Sequence, residues 1–301
     1  MAALLFGKIS PGNQLLRLFY KLISIIWGIS KMDFYSSEKK VRLTLSQAII
    51  KFLQVQFSEF DGVEQRFIQG IWGIFGHGNV SGLSQALVEY GQGLPYHQPT
   101  NEQSMVHAAT GFARTMRRKA TMACTTSIGP GATNMITGAA TATICRIPVL
   151  LFPSDYYASR YQGDVLQDID HLSSADMSVS DTFRVVSRFY DRITRPEQIL
   201  TSLPEAMRVM TSPSETGAVT IALPQDIQGY AYDYPTSFFK KRVWSIDRQS
   251  PSENRICEAI ALLNIAKKPF IIAGGGIHYS EAWNELLSFA EEFKIPVGET
   301  H

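Results

Sequence analysis

The sequence predicts an α/β fold, with a mostly parallel sheet over residues 41–225 followed by the opening of a second α/β unit. Three observations carry this expectation. Short apolar runs alternate along the chain with segments of helical period. The runs are continuous rather than alternating, as in strands buried on both faces of a parallel sheet. Two Gly-containing turns follow directly on such runs, at the strand ends where α/β folds bind ligands.

The elements follow in order. Thr44 is placed to cap a helix whose apolar face is Ala48, Ile49, Phe52 and Leu53. Residues 66–75 read as a buried strand ending in the turn Gly76-His77-Gly78-Asn79, and a helix with Leu83, Ala86 and Leu87 on one face comes next. Glu102 opens a helix through residue 113, residues 120–126 form a strand, and a turn from Gly129 to Gly131 leads into a helix over 132–143. Residues 148–152 and 218–223 are strands, with a helix over 196–210 between them. Residues 226–250, rich in Tyr, Pro, Ser and Lys and without periodicity, read as a linker. A second unit begins at 251, with a helix over 252–263, a strand over 269–273, the turn Gly274-Gly275-Gly276 and a helix over 281–293. One and a half such units cannot close a core, so the sequence is expected to be a fragment that continues beyond His301.

Residues 1–31 stand apart. They contain no acidic residue, and their apolar run is interrupted by Arg17 and Lys21. It is short for a membrane span and lacks a clean signal-peptide core and cleavage site. It is read as an extension ahead of a true start at Met32, with a membrane-surface helix or a targeting peptide as the other readings. The remainder is ordinary globular material, 45% hydrophobic and 18% charged. A net charge of +1 gives no basis for nucleic-acid binding, and no membrane association is expected of the main body. Cys124, Cys145 and Cys257 are widely spaced, with no CxxC or Cys/His cluster, so neither a zinc site nor a disulfide framework is indicated, and a reducing cytoplasm fits.

Two segments carry the chemistry. One is Asn101-Glu102-Gln103 with Ala109-Thr110-Gly111-Phe112-Ala113-Arg114 behind it; the other is Gly129-Pro130-Gly131-Ala132-Thr133-Asn134. A carboxyl group in an apolar, water-poor cleft resists ionisation and can share a proton with a ring nitrogen. At a helix start a carboxylate also serves the helix dipole, which is the plainer use of Glu102. Glycines at 129 and 131 allow close backbone approach, while Thr133 and Asn134 offer polar contacts at a helix start; a tight turn with no ligand is the alternative. GxGxxG is absent, so no dinucleotide fingerprint is present. His77 is suited to hydrogen-bonding a substrate hydroxyl or to acid/base work, or is a surface histidine.

The order and spacing of these two segments resemble the pyrimidine-binding domain of the acetolactate synthase and pyruvate decarboxylase superfamily of thiamine-diphosphate-dependent enzymes. The resemblance implies thiamine diphosphate with Mg²⁺ as cofactor, bound at Glu102, Gly129, Pro130, Gly131, Thr133 and Asn134. It implies that Glu102 promotes the tautomer of the aminopyrimidine that removes the thiazolium C2 proton. Glu102, His77 and Gln167 are the implied catalytic residues, with Gln167 approaching from a neighbouring chain, and a homodimer or homotetramer is implied. His171 reads as a solvated loop residue, Arg146 as a solvated or interface charge, and Gly274 to Gly276 as the first turn of a central domain.

Within the superfamily, Gly73-Ile74-Phe75-Gly76-His77-Gly78-Asn79-Val80, Tyr96-His97-Gln98-Pro99-Thr100-Asn101-Glu102-Gln103 and Leu151-Phe152-Pro153-Ser154-Asp155 are similar to the trihydroxycyclohexanedione hydrolases of myo-inositol catabolism. This likeness implies hydrolytic C–C cleavage of a small polyol diketone to 5-deoxy-glucuronate, with His77, Asn79, Tyr96, His97 and Gln98 as polar partners for the ring. An acetolactate synthase-like carboligase or decarboxylase, or a non-catalytic fold relative, are the alternatives. The superfamily's Gly-Asp-Gly turn for Mg²⁺ does not occur in this sequence. The diphosphate and metal site is therefore expected in a C-terminal domain beyond these residues, and the fragment by itself is expected to be inactive.

Overall fold

The computed structural model describes residues 39–299, except 160, 162, 170–172, 175 and 176. The extension over residues 1–31, Met32, His171 and His301 lie outside the described residues. The strands are β1 (Lys40–Thr44), β2 (Gln56–Phe60), β3 (Val63–Arg66), β4 (Ile68–Ile74), β5 (Tyr96–His97), β6 (Thr121–Thr126), β7 (Val149–Asp155), β8 (Phe189–Arg192), β9 (Ala218–Pro224), β10 (Ala231–Pro235), β11 (Arg242–Ser245), β12 (Ile271–Ala273) and β13 (Val297–Glu299). The helices are α1 (Leu45–Gln54), α2 (Gly76–Asn79), α3 (Gln85–Tyr90), α4 (Glu102–Thr115), α5 (Pro130–Thr133), α6 (Ile136–Ile144), α7 (Ile199–Thr211), α8 (Glu253–Ile265), α9 (Gly275–Ser280) and α10 (Trp283–Phe293).

Six strands form the main sheet in the order β5-β4-β6-β7-β9-β8, and every pairing in it is parallel. All residues of β6, β7 and β9 are buried, as the continuous apolar runs require. Two apolar layers cover the sheet. One packs Ile49, Phe52 and Leu53 of α1 with Leu203, Met207 and Met210 of α7. The other packs Met105, Val106 and Ala109 of α4 with Ala139 and Ala142 of α6. Gly138 allows the second contact, because a Cβ there would lie 2.5 Å from that of Val106.

Local chemistry sets several boundaries. The Thr44 hydroxyl accepts from the Gln47 amide at 3.2 Å, and Gln47 Oε1 accepts from the Thr44 amide at 2.9 Å, a reciprocal cap on α1. Asn101 caps α4 by accepting from the Ser104 amide at 3.0 Å.

The segment 226–250, read as a linker, carries regular structure. β10 pairs antiparallel with β1, Pro235 opposite Lys40, and β11 pairs parallel with β2, Arg242 opposite Gln56. The Phe238 ring stacks on Phe52 at 4.8 Å. Strands this short, paired with partners far away in sequence, leave no periodic signal of their own. The turn Gly76-His77-Gly78-Asn79 is likewise a helical turn rather than an open loop; it runs on through a π-helical stretch, Val80–Ser84, into α3.

Beyond residue 250, β12 and β13 pair in parallel. Glu281 bonds Lys119 Nζ at 2.6 Å and an Arg117 nitrogen at 2.7 Å. A cleft of about 850 Å³ opens here, lined by Arg114, Arg117, Arg118 and Arg146 and by the Gly274 to Gly276 turn. Arg146 is exposed, as the sequence suggested.

Candidate functional site

Parallel pairing aligns the C-terminal ends of β4, β5, β6 and β7 along one edge, and the expected site residues collect there. Glu102 is the first residue of α4, shortly after β5, and is half-buried. Gly129 to Asn134 follow β6. The two segments meet directly: Asn134 Nδ2 donates to Glu102 Oε2 at 2.7 Å.

Gly131 makes this approach possible. A Cβ at that position would stand 3.6 Å from Glu102 Oε1 and 2.9 Å from Thr126 Oγ1. The Thr126 hydroxyl is fully buried and has no hydrogen-bond partner among the described residues. The Thr126 hydroxyl is thus too close to admit a side chain at Gly131, and Glu102 Oε1 lies at ordinary contact distance from the same point.

Gly129 has φ +60° and ψ −116°, a conformation costly for side-chain-bearing residues. A Cβ on it would collide with the backbone carbonyl of Gln167. The Gln167 side chain accepts from Ser127 Oγ at 3.3 Å. Gln167 thus lies against this chain's own Gly-Pro-Gly turn, exposed and with a positive φ of 62°. Of the expected turn residues, Pro130 is exposed and opens α5, and the Thr133 hydroxyl donates to the Pro130 carbonyl at 3.0 Å.

The helical turn with His77 packs on the same edge. A Cβ on Gly78 would meet Ser154 Oγ at 2.5 Å and Ile128 at 2.9 Å. His77 is half-buried, and its Nε2 is buried without a hydrogen-bond partner among the described residues. Its carbonyl accepts from Gln225 Nε2 at 3.3 Å.

Two expected polyol partners are committed elsewhere. Asn79 is fully buried; its Nδ2 donates to Thr125 Oγ1 at 2.8 Å and to the Thr126 carbonyl at 2.6 Å, and its Oδ1 accepts from Gln228 Nε2 at 2.8 Å. The Tyr96 hydroxyl donates to the Gly73 carbonyl at 2.8 Å, and burial raises its phenol above the ordinary range. Asn79 therefore supports the strand ends, while Tyr96 stays exposed at the sheet edge with its hydroxyl donor used. The His97 ring lies 4.9 Å from Trp72.

Sequence reasoning missed Gln228. Gln228 is buried, and its amide also donates to the Gly78 carbonyl at 3.0 Å and to the Leu223 carbonyl at 3.2 Å, tying the His77 turn to β9. It falls in the segment read as a linker. Among the described residues no group of three or more His, Cys, Asp or Glu side chains is placed to hold a metal ion.

Residues 60–174 match the family described as thiamine pyrophosphate enzyme, N-terminal TPP binding domain, and residues 256–301 match thiamine pyrophosphate enzyme, central domain. The chain is 53% identical over 260 residues to a 3D-(3,5/4)-trihydroxycyclohexane-1,2-dione hydrolase of Geobacillus thermodenitrificans (strain NG80-2), covering 86% of this chain and 41% of that protein. It is 53% identical over 260 residues to a 3D-(3,5/4)-trihydroxycyclohexane-1,2-dione hydrolase of Bacillus thuringiensis (strain Al Hakam), covering 86% of this chain and 40% of that protein. The chain spans about two fifths of the length of the curated relatives it matches. It belongs to the thiamine pyrophosphate enzymes, matching their N-terminal TPP binding domain and, from residue 256 onward, their central domain.

Proposed function

We propose that this chain supplies the pyrimidine-activating part of a thiamine-diphosphate hydrolase that opens 3D-(3,5/4)-trihydroxycyclohexane-1,2-dione to 5-deoxy-glucuronate in myo-inositol degradation. The observation that carries the reading is the hydrogen bond from Asn134 Nδ2 to Glu102 Oε2 at 2.7 Å, which joins the two motif segments at one sheet edge. The named activity of the relatives that are 53% identical supports the choice of substrate.

When bound, thiamine diphosphate supplies a carbon nucleophile and an electron sink for C–C cleavage. Glu102 Oε1 holds and moves a proton at the aminopyrimidine, the Thr126 hydroxyl offers a second contact, and the Gly129 to Gly131 backbone gives close approach. His77 Nε2, buried and unpaired, serves a substrate hydroxyl or the attacking water. Gln167 shapes the rim beside Ser127. In the net reaction one ring C–C bond breaks, the acyl carbon takes the hydroxyl of water to become a carboxylate, and the other carbon takes a proton. Mg²⁺ needs oxygen ligands together with the diphosphate, and the proposal places both outside these residues. Residues 41–225 act as the pyrimidine-binding domain and 251–301 as the opening of the central domain. The working enzyme is a cytoplasmic homodimer or homotetramer. No helix among the described residues is long and apolar enough to cross a membrane.

The test uses the full-length protein with thiamine diphosphate and Mg²⁺. Consumption of the trihydroxy-dione and appearance of the acid are followed by NMR, with pyruvate as the comparison substrate. Dione opening that falls about 10²–10⁴-fold in Glu102→Gln is expected. Turnover of pyruvate without turnover of the dione overturns the substrate assignment.

A further inference from the structure

A glutamate side chain ends in a carboxyl group whose last torsion is broad and roughly two-fold, so its two oxygens interchange freely unless something distinguishes them. A group that must exchange a proton with one ring nitrogen gains from having one oxygen fixed in place. In this chain the two oxygens of Glu102 are not equivalent. Oε2 accepts from Asn134 Nδ2 at 2.7 Å, a length typical of a charge-assisted hydrogen bond. Oε1 accepts no hydrogen bond among the described residues and lies beside Gly131, 3.6 Å from where a Cβ would stand.

Asn134 is well held for this task. It ends the short helix α5, with its amide donating to the Pro130 carbonyl at 3.1 Å. Its neighbour Met135 is fully buried in the apolar layer under α4 and α6. An asparagine has only two side-chain torsions, so an anchored backbone leaves the amide little freedom. Glu102 is held equally firmly as the first residue of a 14-residue helix with its own Asn101 cap. The contact thus joins two fixed backbones through two short side chains.

We infer that Asn134 is a positioning residue. It fixes the rotation of the Glu102 carboxyl through Oε2, which makes Oε1 the oxygen that handles the proton, and it does not itself contact the reacting atoms. This rests on the cofactor role proposed for Glu102 and replaces a direct contact between Asn134 and the cofactor.

The test is a double-mutant cycle in the full-length enzyme loaded with thiamine diphosphate and Mg²⁺. The readout is hydrogen–deuterium exchange at C2 of the bound cofactor, which needs no substrate, together with the cofactor dissociation constant. Asn134→Leu is expected to slow exchange about 10–100-fold, as loss of one hydrogen bond to a charged group predicts. Cofactor affinity should change by no more than about threefold, because the amide is not a direct ligand. In a Glu102→Gln background the Asn134→Leu change should slow exchange no further. A merely structural role would give multiplied losses in the double variant, and that result overturns the inference. So does a loss of affinity as large as the loss of exchange. Undiminished exchange in Glu102→Gln alone instead sinks the underlying cofactor role. Should Asn134→Leu fail to fold, Asn134→Ser, polar but too short to reach, makes the same comparison.

Discussion

Replacing Gly129 by alanine separates two costs that usually come together. Gly129 and Gly163 both have φ near +60°; a left-handed φ costs an L-residue about 1–2 kcal/mol, and at Gly129 the ψ of −116° makes the cost at least that large. Around Gly163 nothing lies within 4 Å of an added Cβ, so Gly163→Ala should cost only that conformational term. At Gly129 the added Cβ meets the Gln167 carbonyl, well inside the 3.0 Å that real Cβ contacts almost never breach. The obstacle is backbone, so no rotamer change relieves it, and the loop bearing Gln167 must move. Forced overpacking of this kind typically adds about 1–3 kcal/mol. Gly129→Ala should therefore cost about 2–5 kcal/mol in all. Urea midpoints followed by tryptophan fluorescence in the two variants and the parent protein measure the difference. Equal costs at the two glycines would refute the claim that Gln167 is seated on the Gly-Pro-Gly turn.

Two further outcomes are expected. Gln228→Leu removes the donor shared by the Gly78 carbonyl, the Leu223 carbonyl and Asn79 Oδ1, and should cost about 1–3 kcal/mol in the same unfolding assay; an unchanged midpoint would show that the network is not stabilising. Glu281 gives a pH dependence, because hydrogen bonds from Lys119 and then Arg117 hold its carboxyl below the usual range. A depressed carboxyl stabilises above the unfolded value of about 4.3 and loses that contribution as pH falls through the folded value. Glu281→Gln should therefore lower the midpoint at pH 7 and match the parent protein in strong acid; a gap that persists unchanged into acid contradicts the ion-pair account.

Much of the sheet was legible because β6, β7 and β9 are buried on both faces and so carry short apolar runs, Val149–Phe152 and Ala218–Leu223 above all. The short partners β1, β10 and β11 were not, since each is half-exposed and defined by a strand nearly 190 residues away. At the site, Glu102 and the Gly129 to Asn134 turn stood out as residue types in a pattern, and their shared sheet edge followed from strand–helix order. The roles of the polar residues beside them did not follow. Asn79 reads as a candidate ligand until its amide is seen bonded to Thr125, Thr126 and Gln228. Thr126 reads as a strand residue until its hydroxyl is seen without a partner. Hydrogen-bond satisfaction is a property of three-dimensional neighbours, and sequence pattern carries little of it.

The pairing of β1 with β10 has a consequence for how the chain is made. The apolar face of α1 packs in part on earlier residues such as Leu83 and Ala86, but the stacking of Phe52 on Phe238 and the pairing of β1 with β10 form only after residues 231–245 exist. At about 5–20 residues per second, roughly 10–40 s of translation separate the two. During that interval Ile49, Phe52 and Leu53 have no native cover from β10 or the Phe238 turn, although they lie near the beginning of the folded unit. Part of the native cover of α1 must therefore wait for residues made nearly 190 positions later, so this cluster cannot be completed strictly in chain order. Chaperone binding during synthesis should fall on α1, and release should follow the emergence of β11 from the ribosome.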